Sequence, residues 1–278
     1  MISDKSIRRR GVYLLPNLLT SAALFAGFYS IITGINGNFE PAAIAIIVAG
    51  LLDGLDGRVA RLTNTQSDFG EQYDSLADLI SFGLAPALLA FNWSLSSLSE
   101  ISIMAGKLGW LAAFLFVACA ALRLARFNTQ VGMIDKRYFQ GLASPAAAGT
   151  LVFTIWFFVD NKVAGDSVRW LIFFETIILG MLMFSRVRYY SFKAGPSGDK
   201  VPATWVLLAV LIIVLLALDP PIMGMIFGSA YVLSGLLITV AGRRNWKLRR
   251  GQRPQKQKDT SPVTGPGPES DKTENSDD

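Results

Sequence analysis

Histidine is absent from all 278 residues, which removes imidazole both as a general base and as a metal ligand. Cysteine occurs once, at Cys119, so no disulfide can close within the chain and a Cys-based zinc site is excluded. Lying inside an apolar run, that thiol reads as a packing residue. Charge is scarce as well: 17% of residues are charged against 51% hydrophobic, far more apolar than a soluble domain of this length needs to be. What remains for a base or a ligand cluster is the carboxylate, and any metal must be held by oxygen. No nucleic-acid partner is expected. From about Gln252 the apolar residues run out, leaving Pro, Gly, Ser, Lys, Asp and Glu, a composition that cannot offset the entropy of ordering.

What is present is a series of runs long enough to cross a bilayer, which needs about 20 apolar residues per helix. The expected fold is an all-α, polytopic transmembrane bundle with about eight spans, near 17–36, 41–61, 71–92, 108–127, 144–160, 168–185, 202–218 and 222–241. Residues 1–16 form a basic N-terminal segment, 17–241 the membrane domain, and 242–278 a basic juxtamembrane stretch with a disordered tail. The N-terminal cluster of Lys5 and Arg8 to Arg10 resembles a secretory signal, but the apolar run after it is long enough to be a retained first helix. With both termini cytoplasmic, the external loops hold only Lys107, Lys162 and Arg169 of the 26 basic residues, as the positive-inside bias requires.

Within this apolar background Asp53, Asp56, Asp74 and Asp78 fall inside membrane-grade sequence. An ionised carboxylate there costs several kcal/mol unless it is paired or cation-bound. Spacings of three and four put each pair on one face of its own helix, and a short polar turn between the helices aims all four acids at one point. The topology places that point at the cytoplasmic face. Gly57, Ala60 and Gly70 let a ligand or a neighbouring helix approach closely, and Arg61 adds a phosphate-directed fork. Hard oxygen ligands suit Mg²⁺, Mn²⁺ or Ca²⁺, and the first two commonly share carboxylates with substrate phosphates. Phosphoryl transfer fits: two ions would neutralise a pyrophosphate leaving group, while one acid serves as general base on an incoming hydroxyl. The plainer alternative is a set of helix-end carboxylates solvated at the headgroups or paired with Arg58 and Arg61. A cation transporter is a further alternative, although its polar residues should recur through several helices to the far side.

The stretch reads Asp-x-x-Asp-Gly-x-x-Ala-Arg from Asp53 to Arg61, then eight residues, then Gly70, Asp74 and Asp78 at intervals of four. It resembles the signature of the CDP-alcohol phosphatidyltransferase family at every defined position. The resemblance implies a helical membrane enzyme, usually dimeric, that moves a substituted phosphate from a CDP-linked donor to an alcohol and releases CMP. It makes Asp53, Asp56 and Asp74 metal ligands for two Mg²⁺ or Mn²⁺ ions. Asp78 becomes the general base and a possible fourth ligand, and Asp56, Gly57, Ala60, Arg61 and Gly70 line the CDP site.

Other strings resemble the membrane-integral phosphatidylserine synthases of that family: Pro16-Asn17-Leu18-Leu19-Thr20, Arg123 to Asn128, Gly141 to Ala148 and Arg188 to Lys193. Ala143 departs from the proline expected there in many relatives. The implied substrates are CDP-diacylglycerol and L-serine in a bacterial-type inner or plasma membrane, with glycerol 3-phosphate or inositol as alternative acceptors. Serine's carboxylate calls for a cation. Arg123 and Arg126 are candidates, with donor phosphates or the membrane interface as their other roles. Asn17 either bonds cytosine or caps the first helix, and Ser144 either meets the acceptor or simply starts a helix. Asn128, Arg188 and Lys193 complete the set for the acceptor or the lipid phosphate. The Arg243 to Arg250 cluster suits anionic headgroups.

Overall fold

The computed structural model describes residues 3–63, 65, 67–129, 138–185, 187–190 and 203–251. The tail from Gln252, and Lys193, lie outside the described residues. Nine α-helices are described: α1 (Ser3–Ile35), α2 (Phe39–Thr63), α3 (Asp68–Asp78), α4 (Ala85–Trp93), α5 (Ile103–Thr129), α6 (Ser144–Asp160), α7 (Arg169–Phe184), α8 (Ala203–Leu218) and α9 (Pro220–Gly251). Residues Met1–Ala241 make one compact unit, and Gly242–Asp278 a second, of which residues 242–251 are described as helix.

Each of the eight runs expected from hydropathy coincides with a helical stretch. Among the described residues, four of these stretches are both long and apolar enough to cross a membrane: Leu15–Ile35, Asp68–Trp93, Ile103–Thr129 and Pro220–Thr239. The others fall short for separate reasons. The second half of α2 carries Asp53, Asp56, Arg58 and Arg61. α6 has 17 residues and α7 and α8 have 16 each, somewhat under the usual length of a perpendicular span.

Two features were not expected. The third run is not one regular helix, because α3 and α4 are joined by a π-helical segment, Leu79–Leu84. Pro86 explains it: proline has no N–H and its ring crowds the carbonyl four residues back, and a wider turn moves that carbonyl aside. The Ala85 N–H accordingly reaches back to the Ile80 carbonyl. The second feature is a short antiparallel ladder between β1 (Tyr138–Gln140) and β2 (Arg188–Tyr190), pairing Tyr138 with Tyr190 and Gln140 with Arg188. Gly141 leaves β1 at φ +86°, a conformation that glycine adopts freely. Its N–H donates to the Val187 carbonyl at 2.8 Å, so the ladder brings together two of the strings singled out in the sequence.

Small residues set the packing. α1 lies along α2, with Ala23, Ala42, Ala43 and Ala49 buried in and beside the seam, as expected where helices associate through close van der Waals contact. Phe116, Leu89, Leu151, Ile155 and Ile172 fill the core shared by α4 to α7. Phe25, Phe28, Trp110, Phe114, Trp170 and Phe174 stay on the outside, where acyl chains would cover them.

Ser81 of the π segment donates to the Ala23 carbonyl at 3.2 Å and lies against Gly27, where a Cβ would stand 2.6 Å from Ser81 Oγ and 2.9 Å from its Cα. Gly27→Val is therefore expected to destabilise the bundle by about 1–3 kcal/mol through overpacking, read as a lower unfolding midpoint in detergent. Gly34→Ala, whose added methyl would meet nothing closer than 3.7 Å, should leave the midpoint unchanged or slightly raised.

Candidate active site

α2 delivers Asp53 and Asp56 near its end, and the chain then turns into α3, whose start is fixed by Ser67. The Ser67 hydroxyl accepts the Gly70 N–H at 3.1 Å, which satisfies a free donor of the first turn. One turn later α3 presents Asp74, and oxygens of Asp53, Asp56 and Asp74 lie within 4.8 Å of one another. At an effective dielectric of about 20, two unit charges at that distance repel by roughly 3 kcal/mol, so three ionised carboxylates gathered this closely call for a cation. Asp74 Oδ1 is buried and makes no hydrogen bond. A buried oxygen left this way is costly unless something binds it. With only carboxylate donors in the set, the residues fit a hard divalent ion.

Asp78 stands outside this trio but within hydrogen-bond reach of Asp53. It also faces Arg123 of α5. The four acids of the sequence reading are thus brought together as three plus one.

Beside the trio opens a cavity of about 510 Å³ lined by Asn17, Asp56, Gly57, Ala60, Gly70 and Asp74, among others. Five of the six residues assigned to the nucleotide are on this wall. The sixth, Arg61, is exposed and donates through Nε to the Gly57 carbonyl of its own helix at 2.7 Å. Gly70 sits close to its neighbours, since a Cβ there would lie 3.2 Å from Ser67 Oγ and 3.4 Å from Asn17 Oδ1.

Of the candidates for the acceptor, Arg123 is the one that faces Asp78. Arg123 donates to Ser144 Oγ at 2.8 Å, joining α5 to the first turn of α6, and Ser144 is fully buried. Asn128 donates to Ser75 at 3.0 Å, tying α5 to α3. Arg126, half-buried, is on the same helix. Arg188 lies in β2 opposite Gln140. The neighbouring Tyr189 is 1% exposed and packs on Tyr231 of α9 with ring centroids 5.4 Å apart. Burial, and secondarily the Tyr231 phenol, push the Tyr189 hydroxyl up to about 12, so it stays protonated at neutral pH.

Four site residues escape a reading of the sequence alone. Thr20 donates to Asp56 Oδ2 at 2.7 Å, and Ser21 and Tyr73 share a hydrogen bond of 2.8 Å between α1 and α3. The available signal was their spacing: Asn17, Thr20 and Ser21 fall three and four apart, on one face of an otherwise apolar helix. Tyr231, which faces Arg123, had no such signal, being one aromatic in a distant apolar run.

Comparison with known proteins identifies the family. The family model described as CDP-alcohol phosphatidyltransferase matches residues 13–182. A Helicobacter pylori protein named CDP-diacylglycerol–serine O-phosphatidyltransferase is 36% identical over 230 residues, covering 81% of this chain and 91% of its own length. An archaetidylserine synthase of Methanothermobacter thermautotrophicus is 35% identical over 193 residues, 68% of this chain and 74% of that protein. A Saccharomyces cerevisiae CDP-diacylglycerol–serine O-phosphatidyltransferase is 37% identical over 179 residues, 59% and 61% of the two chains.

The trio generates a prediction that needs no substrate. Purified protein should bind Mn²⁺, and Asp74→Asn should weaken that binding by more than about tenfold, since even changes one shell out from a metal reach that size. The electron paramagnetic resonance signal of free Mn²⁺ measures it, and unchanged affinity would place the cation elsewhere.

Proposed function

The chain belongs to the CDP-alcohol phosphatidyltransferase family, and from that membership we propose that it transfers the phosphatidyl group of CDP-diacylglycerol to the hydroxyl of L-serine, releasing CMP. The observation that carries the choice of serine is the 36% identity, over 81% of the chain, to a relative named CDP-diacylglycerol–serine O-phosphatidyltransferase. The geometry supports it. Arg123, bonded to Ser144 and facing Asp78, offers a cation for serine's carboxylate on the side of the acid that would take its hydroxyl proton.

The family is generally metal-dependent, and Asp53, Asp56 and Asp74 are the residues that would hold the ions, two Mg²⁺ or Mn²⁺. When bound, such ions offset the charge of the pyrophosphate and of the departing CMP. The cavity wall of Asn17, Gly57, Ala60 and Gly70 receives the nucleotide, its small residues leaving room for the ribose and phosphates, while Arg61 at the rim is free to turn toward a phosphate. Asp78 accepts the proton of the serine hydroxyl. The oxygen thus freed attacks the phosphorus bearing the diacylglycerol, and the bond to the bridging oxygen breaks with its electron pair leaving on CMP. Arg123 keeps serine oriented through this step, Arg126 and Arg188 add positive charge near the lipid phosphate, and Asn128 holds α5 against α3. Lys193 belongs to the same basic group in the sequence.

The lipid substrate defines the setting. The chain is an integral membrane protein, for which we propose eight spans, with the shorter α6, α7 and α8 crossing by local thinning of the bilayer. The paucity of basic residues on the opposite side supports a cytoplasmic placement of both termini and the site, and the proposed setting is a bacterial-type inner membrane. A homodimer follows the habit of the family.

Detergent-purified protein should release CMP from CDP-diacylglycerol only with serine present, and not with glycerol 3-phosphate or inositol. Chelation should stop release, and Mg²⁺ or Mn²⁺ should restore it. Equal release with another alcohol would refute the serine assignment. Asp78→Asn should lower kcat by about 10²–10⁴, the usual worth of a general base, while donor binding survives; near wild-type turnover would remove Asp78 from that role.

A further inference from the structure

We propose that Thr20 is a positioning residue that fixes the orientation of Asp56 for cation binding; this rests on the reading that Asp53, Asp56 and Asp74 hold divalent ions. The acid signature contains no residue of α1, yet the hydroxyl seated on the Asp56 carboxylate comes from that helix. Thr20 and Asp56 are each 4% exposed, so water does not compete freely for their contact. The Thr20 hydroxyl has one proton and two acceptors nearby, Asp56 Oδ2 at 2.7 Å and the Pro16 carbonyl at 3.1 Å. The shorter, charge-assisted bond wins that competition.

Geometry makes Thr20 a stiff support. Its branch at Cβ restricts χ1, so the hydroxyl does not swing freely away from α2. α1 itself is held on both sides of the site: alanines pack it along α2, and the bond between Ser21 and Tyr73 ties it to α3 one residue before Asp74. Asp56, in contrast, ends in a carboxylate whose last torsion is broad and weakly preferred. Seating one oxygen on a fixed donor selects a single rotation and leaves lone pairs of the carboxylate for a metal. Outer hydrogen bonds of this kind orient metal ligands, and losing one costs about 10–100-fold in affinity.

The test is Mn²⁺ affinity of the purified full-length protein, read from the resonance signal of free Mn²⁺. Thr20→Val keeps the branched shape and removes the hydroxyl; Thr20→Ala removes the hydroxyl with less demand on packing, should the valine variant not fold. Either is expected to bind Mn²⁺ about tenfold or more weakly than wild type. Thr20→Ser, which keeps the donor with a looser χ1, should stay within about threefold. A merely structural role would lower the unfolding midpoint of metal-free protein without this serine rescue. Hydroxyl-free variants that bind within twofold of wild type would overturn the proposal, as would a serine variant as weak as valine. Wild-type protein that binds no Mn²⁺ through Asp74 would overturn the parent reading and this proposal together, whereas tight wild-type binding with unaffected variants would sink the role of Thr20 alone.

Discussion

Mutual repulsion among carboxylates drawn into an apolar bundle is the constraint around which this protein is organised. Three acids with oxygens inside 4.8 Å cannot all be ionised in such surroundings without a cation to bind them. Ordinary membrane-helix packing would not bring them there. Their convergence requires α2 and α3 to meet end to end across a short turn, and it requires α1 to close over both. Alanine and glycine along those seams allow the approach, while the Ser67 cap and the polar face of Asn17, Thr20 and Ser21 satisfy the polar groups that the approach buries. The same small residues leave the cavity next to the acids, so charge neutralisation and substrate room come from one packing solution.

The third run of the sequence carries a second consequence. Asp74 and Asp78 are four apart in α3, but the helix goes on through a π segment before Pro86. That change of winding lets the stretch after Asp78 pack Ser81 against Gly27 of α1 while Asp78 looks toward α5. Asp78 is thereby the hinge between two halves of the site. One half, from α1 to α3, holds the acids and the cavity. The other, from α5, α6 and α9, holds Arg123, Ser144 and Tyr231, with the β1 to β2 ladder bracing its edge through Tyr189.

Legibility in the sequence followed the reach of each interaction. The acids were readable because helical spacing puts each pair on one face and the two helices that carry them are adjacent in the chain, while Gly57, Ala60 and Gly70 were legible through their lack of bulk and the family signature. Helix positions were readable because apolar length is a local property. The winding of the third run was not, since proline in an apolar span signals a disturbance without saying whether it will be a kink or a wider turn. Arg61 looked like a phosphate ligand by position, but its side chain bonds the Gly57 carbonyl of its own helix, a local contact that the signature does not reveal. Thr20 showed in the sequence only as part of a polar face with Asn17 and Ser21, its partner lying 36 residues away, and Tyr231 meets Arg123 from more than a hundred residues away, which no local pattern encodes.

The account is tested most directly by locating the ion. Crystals grown with Mn²⁺ and CDP-diacylglycerol, measured at the manganese absorption edge, should show anomalous density bounded by Asp53, Asp56 and Asp74, with the pyrophosphate against it and Asp78 open toward Arg123. Manganese found away from those three carboxylates, or a nucleotide bound with no metal beside them, would contradict it.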